Sequence, residues 1–382
     1  MKKIIFFCHS NYLSSEEIFD SHWSLTFEFL NNFFGSDYEV LRHSLYRGGQ
    51  SRIYEKGVSG KYVIIPLIGK FPDIFRYFLE VGINIVYLLL RIFSKKRLLV
   101  IAIDPLSCLA GVILKKIGFN LHVIFITPDF ARERFRNKFL NWAYLAIDKF
   151  CTKNCDLNYC SSLAVIDYKK EIYADLDLSN KLVHYPNVPA KWQVAKCLGT
   201  EKVSHRLVYV GIISSQINFK NLFDILFELE RVYANLNLVI VGDGDKRGEL
   251  ELYIKEHDIK NVFLKGNLAH EDTLKEIAKA EIGIALYEGN LNYDEFRDSC
   301  KIREYQALGA IPLASYVAKA NVDEMRKYKS GILIDDKTDI KEEIKKIFDN
   351  TEYKISLINN CKYNYKIYED KFDKFYEVIN KI

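Results

Sequence analysis

Short apolar runs alternate with longer amphipathic segments along almost the whole chain, and this alternation limits the fold more than any other feature. Apolar runs of strand length, separated by segments with helical periodicity, are typical of parallel sheets with crossover helices. The second half of the chain repeats the pattern from residue 207 to residue 314. The sequence therefore predicts an α/β protein with two doubly wound domains. In the first half we predict strands at residues 4–8, 39–42, 62–66, 98–103, 122–126, 157–160 and 182–184.

The domain boundary is predicted from length and from proline content. A chain of 382 residues exceeds what one hydrophobic core usually supports. Residues 185–189 and the polar run to His205 hold two of the seven prolines and show no clear periodicity, which is typical of a linker. We predict an N-terminal domain at 1–187, a linker at 188–205, a second domain at 206–362 and a C-terminal helix at 363–382 that packs back on the first domain.

Composition excludes several classes of protein. The 54 basic and 50 acidic residues leave a net charge of only +4, which argues against a nucleic-acid partner. The eight cysteines are scattered and form no pair of CxxC motifs, so we expect thiols in a reducing cytoplasm. The longest apolar stretch, residues 81–90, is about half the length that spans a bilayer. No membrane span is predicted.

A glycine turn follows the strand predicted at residues 238–241. A dinucleotide fingerprint requires GxGxxG, whereas here Gly242 and Gly244 are followed by a third glycine one residue late, at Gly248. This spacing disfavours NAD binding. Two aspartates separated by one residue can hold a divalent metal, but a simple turn explains them better and no metal is expected; the pattern occurs at residues 243–245 and 175–177.

A second motif lies at the start of the helix that we predict at residues 302–308. Its first backbone amides, at Ser299 and Cys300, together with the Lys301 ammonium suit a diphosphate, because free amides at a helix start attract anions. Glu304 could accept hydrogen bonds from two ribose hydroxyls. The alternative is a solvated helix face that carries a Lys301–Glu304 pair. Gly309 is predicted to end the helix.

A third motif is Lys220, which introduces the amphipathic helix predicted from residue 222. A lysine at a helix start opposes the helix dipole, so it has little local reason to be there. A bound phosphate would supply that reason.

In order and spacing, these motifs resemble the donor-binding domain of the GT-B glycosyltransferases, in particular the large retaining group called glycosyltransferases group 1. The resemblance covers residues 207 to about 336 and implies two Rossmann-like domains facing a central cleft. It implies a nucleoside-diphosphate-sugar donor and neither metal nor other cofactor. The matching motifs are Val210-Gly211, Lys220-Asn221, Gly242-Asp243-Gly244, Lys265-Gly266, Lys301, Glu304-Tyr305 and Gly309-Ala310-Ile311-Pro312.

The resemblance also assigns roles to residues. It implies that Lys220 holds the donor diphosphate, that Lys301 supports the phosphate or the ribose, and that Glu304 binds the ribose hydroxyls. In the first half it implies that Asp129 lies near the reacting sugar, although Asp129 could instead begin a turn or cap a helix. The base would be bound through backbone groups of Gly266, Asn267 and Leu268.

Two positions depart from the family pattern. The arginine usual after the strand-glycine is Ile212, and the first acid of the paired-glutamate motif is Phe296. Arg297 or Arg303 could replace the lost cation.

The leading function is transfer of a sugar, with retention, to a hydroxyl of a glycan or lipid-linked glycan in bacterial surface polysaccharide synthesis. Lys220, Lys301 and helix-start amides would stabilise the charge that grows on the departing diphosphate. Two alternatives remain. A nucleotide-sugar epimerase of the same architecture would need no acceptor, and a degenerate transferase that acts as a glycan-assembly scaffold would bind without turnover.

A basic segment at residues 91–97 follows the apolar residues 81–90, and a second basic stretch lies at 132–138. Such a face could rest on anionic lipid at the cytoplasmic membrane surface. The alternative is a core helix with a basic end.

Overall fold

The computed structural model describes residues 3–10, 21–35, 37–44, 49–57, 62–65, 70–93, 97–289 and 291–382. The chain divides into two compact units, Met1–Tyr185 with Phe372–Ile382, and Pro186–Lys371. Residues 188–205, predicted as a linker, belong to the second unit and include a short helix. Residues 363–371 of the predicted C-terminal helix also belong to the second unit.

The first unit contains, among its described residues, an eight-stranded sheet in the order β4-β3-β2-β1-β5-β6-β7-β8. Its strands pair in parallel except at β2–β3 and β3–β4, which are antiparallel. The sequence did not predict β3 or the reversal at this edge. The elements are β1 (Lys3–Ser10), α1 (Ser21–Phe34), β2 (Tyr38–Ser44), β3 (Ser51–Tyr54), β4 (Tyr62–Ile65), α2 (Asp73–Ile92), β5 (Leu98–Ile103), α3 (Pro105–Lys116), β6 (Leu121–Thr127), α4 (Lys138–Asn154), β7 (Leu157–Cys160), α5 (Leu163–Ile172) and β8 (Leu182–His184).

The core of this unit explains the continuous apolar runs. Every residue of β5 is buried, as expected for a parallel strand covered on both faces. Alternate side chains such as Phe7, Val100 and Phe125 pack in one cluster with residues of α2, α3 and α4. The C-terminal segment also packs in this unit, where Phe29 of α1 stacks with Phe372 at a centroid distance of 5.4 Å.

The second unit contains a six-stranded parallel sheet in the order β11-β10-β9-β12-β13-β14, counted among the described residues. This is the 3-2-1-4-5-6 order of doubly wound nucleotide-binding folds, and its topological switch point lies between β9 and β12. The elements are α6 (Lys191–Ala195), β9 (Arg206–Val210), α7 (Phe219–Leu229), β10 (Asn237–Val241), α8 (Arg247–Glu256), β11 (Val262–Gly266), α9 (His270–Lys279), β12 (Ile282–Ala285), a 3-10 helix (Asp294–Phe296), α10 (Cys300–Ala307), β13 (Ile311–Ser315), α11 (Lys319–Tyr328), β14 (Ile332–Ile334), α12 (Ile340–Asp349) and α13 (Thr351–Lys366); α14 (Lys371–Lys381) follows.

Several local predictions can be compared directly with these elements. The helix predicted at 302–308 is α10, and Gly309 ends it with a positive φ of 69°. All eight cysteines are free thiols, and seven of them are buried. In the part of the chain that the structure describes, no helix combines the length and hydropathy needed to cross a bilayer. The sheet continues past residue 314, the predicted end of the alternation, through α11 and β14.

Candidate functional site

The candidate site is built around the start of α10, which Tyr305 attaches to the switch point. The Val210 backbone N–H donates to the Tyr305 hydroxyl at 3.1 Å, and this hydroxyl donates to the Ile284 carbonyl at 3.2 Å. Gly283 permits the contact, because a Cβ there would overlap the Tyr305 ring. One side chain thus joins α10 to the ends of both β9 and β12.

Lys301 lies at this switch point and forms no ion pair with a carboxylate of the described residues. Its ammonium is 5.4 Å from the ring centroid of Tyr209 and 5.5 Å from that of Tyr287. A Cβ on Gly211 would overlap the ammonium, and Gly211 has a φ of 142°, so glycine is required there. Burial alone would lower the pKa of Lys301, but Tyr287, Tyr209 and Glu304 raise it above its ordinary value. Among the described residues Lys301 forms no ion pair, so a charged cation is available to an anion.

The two arginines that could replace the lost cation have different environments. Arg297 stacks on Tyr287 at 4.6 Å and pairs with Asp294 at 2.6 Å, so it shares a ring with Lys301. Arg303 is buried between Asp298 and Glu324, and these two carboxylates occupy its guanidinium. Only Arg297 of this pair is positioned to assist Lys301.

Glu304 is held by a histidine that the sequence analysis missed. Its side chain is only 5% exposed, and its Oε1 accepts from His270 Nε2 at 2.8 Å. Burial opposes ionisation, but His270, Cys300 and Lys301 hold the pKa of Glu304 below its usual value. Oε2 makes no hydrogen bond with a described residue and is left to accept one hydroxyl. The alternative of a solvated Lys301–Glu304 pair is wrong, because Glu304 is buried and the two form no ion pair.

A short relay fixes the orientation of His270. The Ala190 backbone N–H donates to Gln193 Oε1 at 3.1 Å, which turns Gln193 Nε2 towards His270 Nδ1 at 3.3 Å. Because Nδ1 accepts in this arrangement, the proton of the neutral ring lies on Nε2 and is donated to Glu304. The only sequence signal was a polar residue soon after the carboxyl end of β11.

One backbone amide at the start of α10 already has a hydrogen-bond partner. The Ser299 backbone N–H donates to Asn321 Oδ1 at 2.7 Å, so it is not free, contrary to the sequence-based expectation. The Ser299 hydroxyl lies 3.1 Å from the Tyr287 hydroxyl and does not cap α10. Cys300 Sγ contacts Glu304 Oε1 at 3.5 Å. Anion binding at this helix therefore depends on the Lys301 ammonium and on amides after Ser299.

Lys220 lines a neighbouring cavity of roughly 380 Å³ together with Lys246, Glu249 and Tyr253. Its ammonium pairs with Glu249 at 3.5 Å, and its side chain is 56% exposed, so the pair is weak. This partner supplies a local reason for a lysine at the start of α7. Neither Lys301 nor Glu304 is among the residues that line the cavity.

The glycine turns let two loop backbones approach each other. A Cβ on Gly242 would overlap the Gly211 carbonyl, and a Cβ on Gly244 would overlap the Ile213 carbonyl. Asp243 accepts from the Gly244 backbone N–H at 2.7 Å, as a turn residue does. Beyond β11, whose last residue is Gly266, Asn267 is exposed and Leu268 half-buried at the carboxyl edge of the sheet.

Comparison with known proteins identifies the second unit. Residues 191–364 match the model of the family described as glycosyl transferases group 1. The second unit belongs to this family. No curated protein matches the chain by sequence.

Solved glycosyltransferase structures match over the whole length. Anabaena HepE in complex with UDP is 12% identical, covers 100% of both chains and has a TM-score of 0.63. Sucrose-phosphate synthase from Thermosynechococcus elongatus is 12% identical, covering 100% of this chain and 99% of its own, with a TM-score of 0.67. The galactosyltransferase WaaB is 16% identical, covers 100% of both chains and has a TM-score of 0.60. At such identities the likeness shows the fold, and it confirms the GT-B prediction.

Asp129 lies in the first unit, just after the carboxyl end of β6. Its carboxylate is 60% exposed and pairs with Arg134 Nη1 at 3.1 Å. It neither caps α4, which Asn137 caps, nor packs in the core. An exposed carboxylate at this edge is accessible to an acceptor.

The first unit of the glycosyltransferase also has a charged cluster at its own switch point, between β1 and β5. His9 donates to Asp104 at 2.7 Å and to Glu80 at 3.0 Å. Burial lowers the pKa of His9, but Asp104 and Glu80 outweigh it and raise the pKa to about 10. Asp104 has a φ of 72°, which is rare outside glycine. His9 is therefore a histidinium held between two carboxylates.

Proposed function

We propose that this enzyme transfers a sugar from a nucleoside-diphosphate-sugar to a hydroxyl of a glycan or lipid-linked glycan, in bacterial surface polysaccharide synthesis. The observation that carries the proposal is the Lys301 ammonium, which lies at the switch point of a group 1 glycosyltransferase domain and pairs with no carboxylate of the described residues. Ligands of open α/β sheets bind at this point.

The chemistry required of the site is electrostatic. As the sugar leaves, negative charge grows on the diphosphate oxygens, and groups that stabilise this charge lower the barrier. Lys301 is assigned to that role, with Arg297 close to it on the Tyr287 ring. Lys220 is assigned to the diphosphate after it exchanges Glu249 for the ligand, which the weakness of that exposed pair favours.

The ribose and the base are assigned to neighbouring groups. Glu304 Oε2 accepts a ribose hydroxyl, and His270 holds the carboxylate in place through Oε1. Backbone groups of Gly266, Asn267 and Leu268 receive the base. HepE and a pneumococcal O-GlcNAc transferase were each crystallised with UDP, so a uridine nucleotide is the first donor to test.

The acceptor is assigned to the first unit, where Asp129 is accessible. Retention of configuration is proposed from the resemblance to the retaining group, and a cytoplasmic location from the eight free thiols. The scheme uses no metal and no other cofactor.

A thermal-shift panel of UDP, GDP, ADP and CMP tests the donor assignment first. A ligand present at 100 times its Kd stabilises the fold by about 2.7 kcal/mol. We expect one nucleoside diphosphate to raise Tm, and the corresponding sugar-nucleotide to be consumed only with an acceptor. Stabilisation by none of them would contradict the proposal. A changed sugar-nucleotide without acceptor would indicate an epimerase, and binding without turnover on any donor would indicate a scaffold.

A further inference from the structure

Helix α2 of the first unit has polar side chains on its buried face and apolar side chains on its exposed face. Three of its polar side chains, Arg76, Glu80 and Asn84, are buried; Glu80 bonds His9 and Asn84 bonds His43. Its outward residues are apolar instead; the exposed ones are Phe75, Phe78, Leu79, Val86 and Leu90, and Phe93 follows the helix. Phe78 is 74% exposed and Phe93 is 77% exposed. Surface helices normally present the opposite arrangement.

These exposed residues form one stripe. They recur at intervals of three, four or seven to eight residues, which keeps them on one helix face. From residue 75 to residue 93 the stripe is about 27 Å long at the usual rise of a helix. Large apolar patches on a soluble surface mark contact with a partner or a membrane.

A second apolar pair lies in the same helical layer. Helix α3 packs against both α2 and α4. At the start of α4, Phe139 and Trp142 are both exposed and stack at a centroid distance of 5.7 Å. Tryptophan and phenylalanine are typical of helices that lie in a membrane interface.

The surrounding charge is positive. Residues 70–138 contain twelve lysines and arginines and five aspartates and glutamates, a net charge of +7 in a chain whose total is +4. Exposed members of this set include Arg97, Lys116, Arg132, Arg136 and Lys138. Lys95 and Lys96 of the predicted basic segment lie outside the described residues. The sequence-based alternative, a core helix with a basic end, does not fit the exposed stripe.

We propose that the outward face of α2 rests in the interface of a membrane that contains anionic lipid. An apolar stripe on a chain segment of net charge +7 fits acyl chains beneath negative headgroups. A second copy of the chain fits less well, because a twofold contact through this face would bring the same positive charges together. The inference rests on the proposed function and extends it, because a lipid-linked acceptor would be reached at the membrane surface. Vesicle binding is measured without donor or acceptor, so this inference can fail while the proposed function holds.

Co-sedimentation of the full chain with vesicles of phosphatidylcholine, with and without about 30% phosphatidylglycerol, tests the inference. We expect binding to the anionic vesicles that weakens with salt. The double variant Phe75→Ser, Phe78→Ser should reduce the partition coefficient at least about tenfold, because each phenylalanine loses its apolar contact. The matched control Leu252→Ser, Ile355→Ser changes two exposed apolar residues of the second unit and should bind as the wild type does.

A second measurement does not depend on lost binding. Phe78→Trp should be quenched by brominated lipid in anionic vesicles, whereas Ile355→Trp should show no added quenching. Absence of enrichment on anionic vesicles would overturn the inference, as would binding that the double variant leaves unchanged. Self-association that the double variant abolishes, without vesicle binding, would assign the face to a second copy.

Discussion

Both sheets have a charged side chain at the topological switch point, but the two side chains differ in their ion-pair partners. At the switch point of the first sheet, His9 is neutralised by Asp104 and Glu80. At the switch point of the second sheet, Lys301 is surrounded by tyrosine rings and backbone and has no ion pair with a described residue. A buried charge with its partners present is a structural element, whereas a buried charge without one is completed by a ligand. The contrast supports the proposal that the second unit binds the donor.

The largest expected effect is on the stability of the first unit. His9→Ala removes the cation from Asp104 and leaves Glu80 paired with Arg76 at 3.7 Å, and it should lower the free energy of unfolding by about 3–5 kcal/mol. Urea denaturation measures this change. The matched control His257→Ala removes an exposed histidine and should stay within about 0.5 kcal/mol. A small effect at His9 would show that the two switch points do not differ in kind.

The counterpart in the second unit is Lys301→Gln. It should leave Tm nearly unchanged, because Lys301 forms no ion pair with a described residue, and should lower kcat about 10²–10³-fold, as loss of an electrostatic stabiliser does. Steady-state kinetics with the donor found in the thermal-shift panel measure this. Lys345→Gln, on the surface of α12, is the control and should retain full activity. Equal activity of the two variants would remove Lys301 from the site.

A smaller effect is expected at His270, which acts through Glu304. His270→Ala should lower donor affinity about 10–100-fold, as loss of an outer-shell hydrogen bond does. His270→Gln can again donate to Glu304 Oε1 and should restore part of the affinity, which a purely structural role would not produce. Calorimetric titration with the nucleoside diphosphate compares them. Identical affinities of both variants and the wild type would contradict the relay.

The smallest effect, counted per pH unit, is a pH dependence of the stability of the first unit. The pKa of His9 is raised from 6.5 to about 10 in the folded state, so between these values the folded state binds more protons than the unfolded state. The stabilisation is complete below pH 6.5 and is lost as the pH rises towards about 10. The slope is at most about 1.4 kcal/mol per pH unit. Urea titrations across this window should show the slope in the wild type and its loss in His9→Ala.

The local sequence pattern was sufficient to predict the parallel sheets, but not every strand that pairs in them. Buried strands such as β5 were predictable because both faces require apolar residues. Strand β3, which lies between β4 and β2, was missed, since a short strand that contains Ser51 and Arg52 carries no apolar run.

The candidate site likewise contains residues that the sequence could predict and residues that it could not. Lys301 was predictable because it begins a helix that a glycine ends. The relay could not be predicted, because His270 reaches Glu304 across 34 residues and Gln193 reaches His270 across 77. The occupied amide of Ser299 depends likewise on Asn321, 22 residues away.

The central claim is that Lys301 holds the donor diphosphate, and a crystal structure with the stabilising nucleoside diphosphate tests it most directly. We expect a diphosphate oxygen about 2.8 Å from Lys301 Nζ and a ribose hydroxyl on Glu304 Oε2. A diphosphate bound elsewhere, with Lys301 still enclosed by Tyr209 and Tyr287 and in contact with no ligand oxygen, would contradict it.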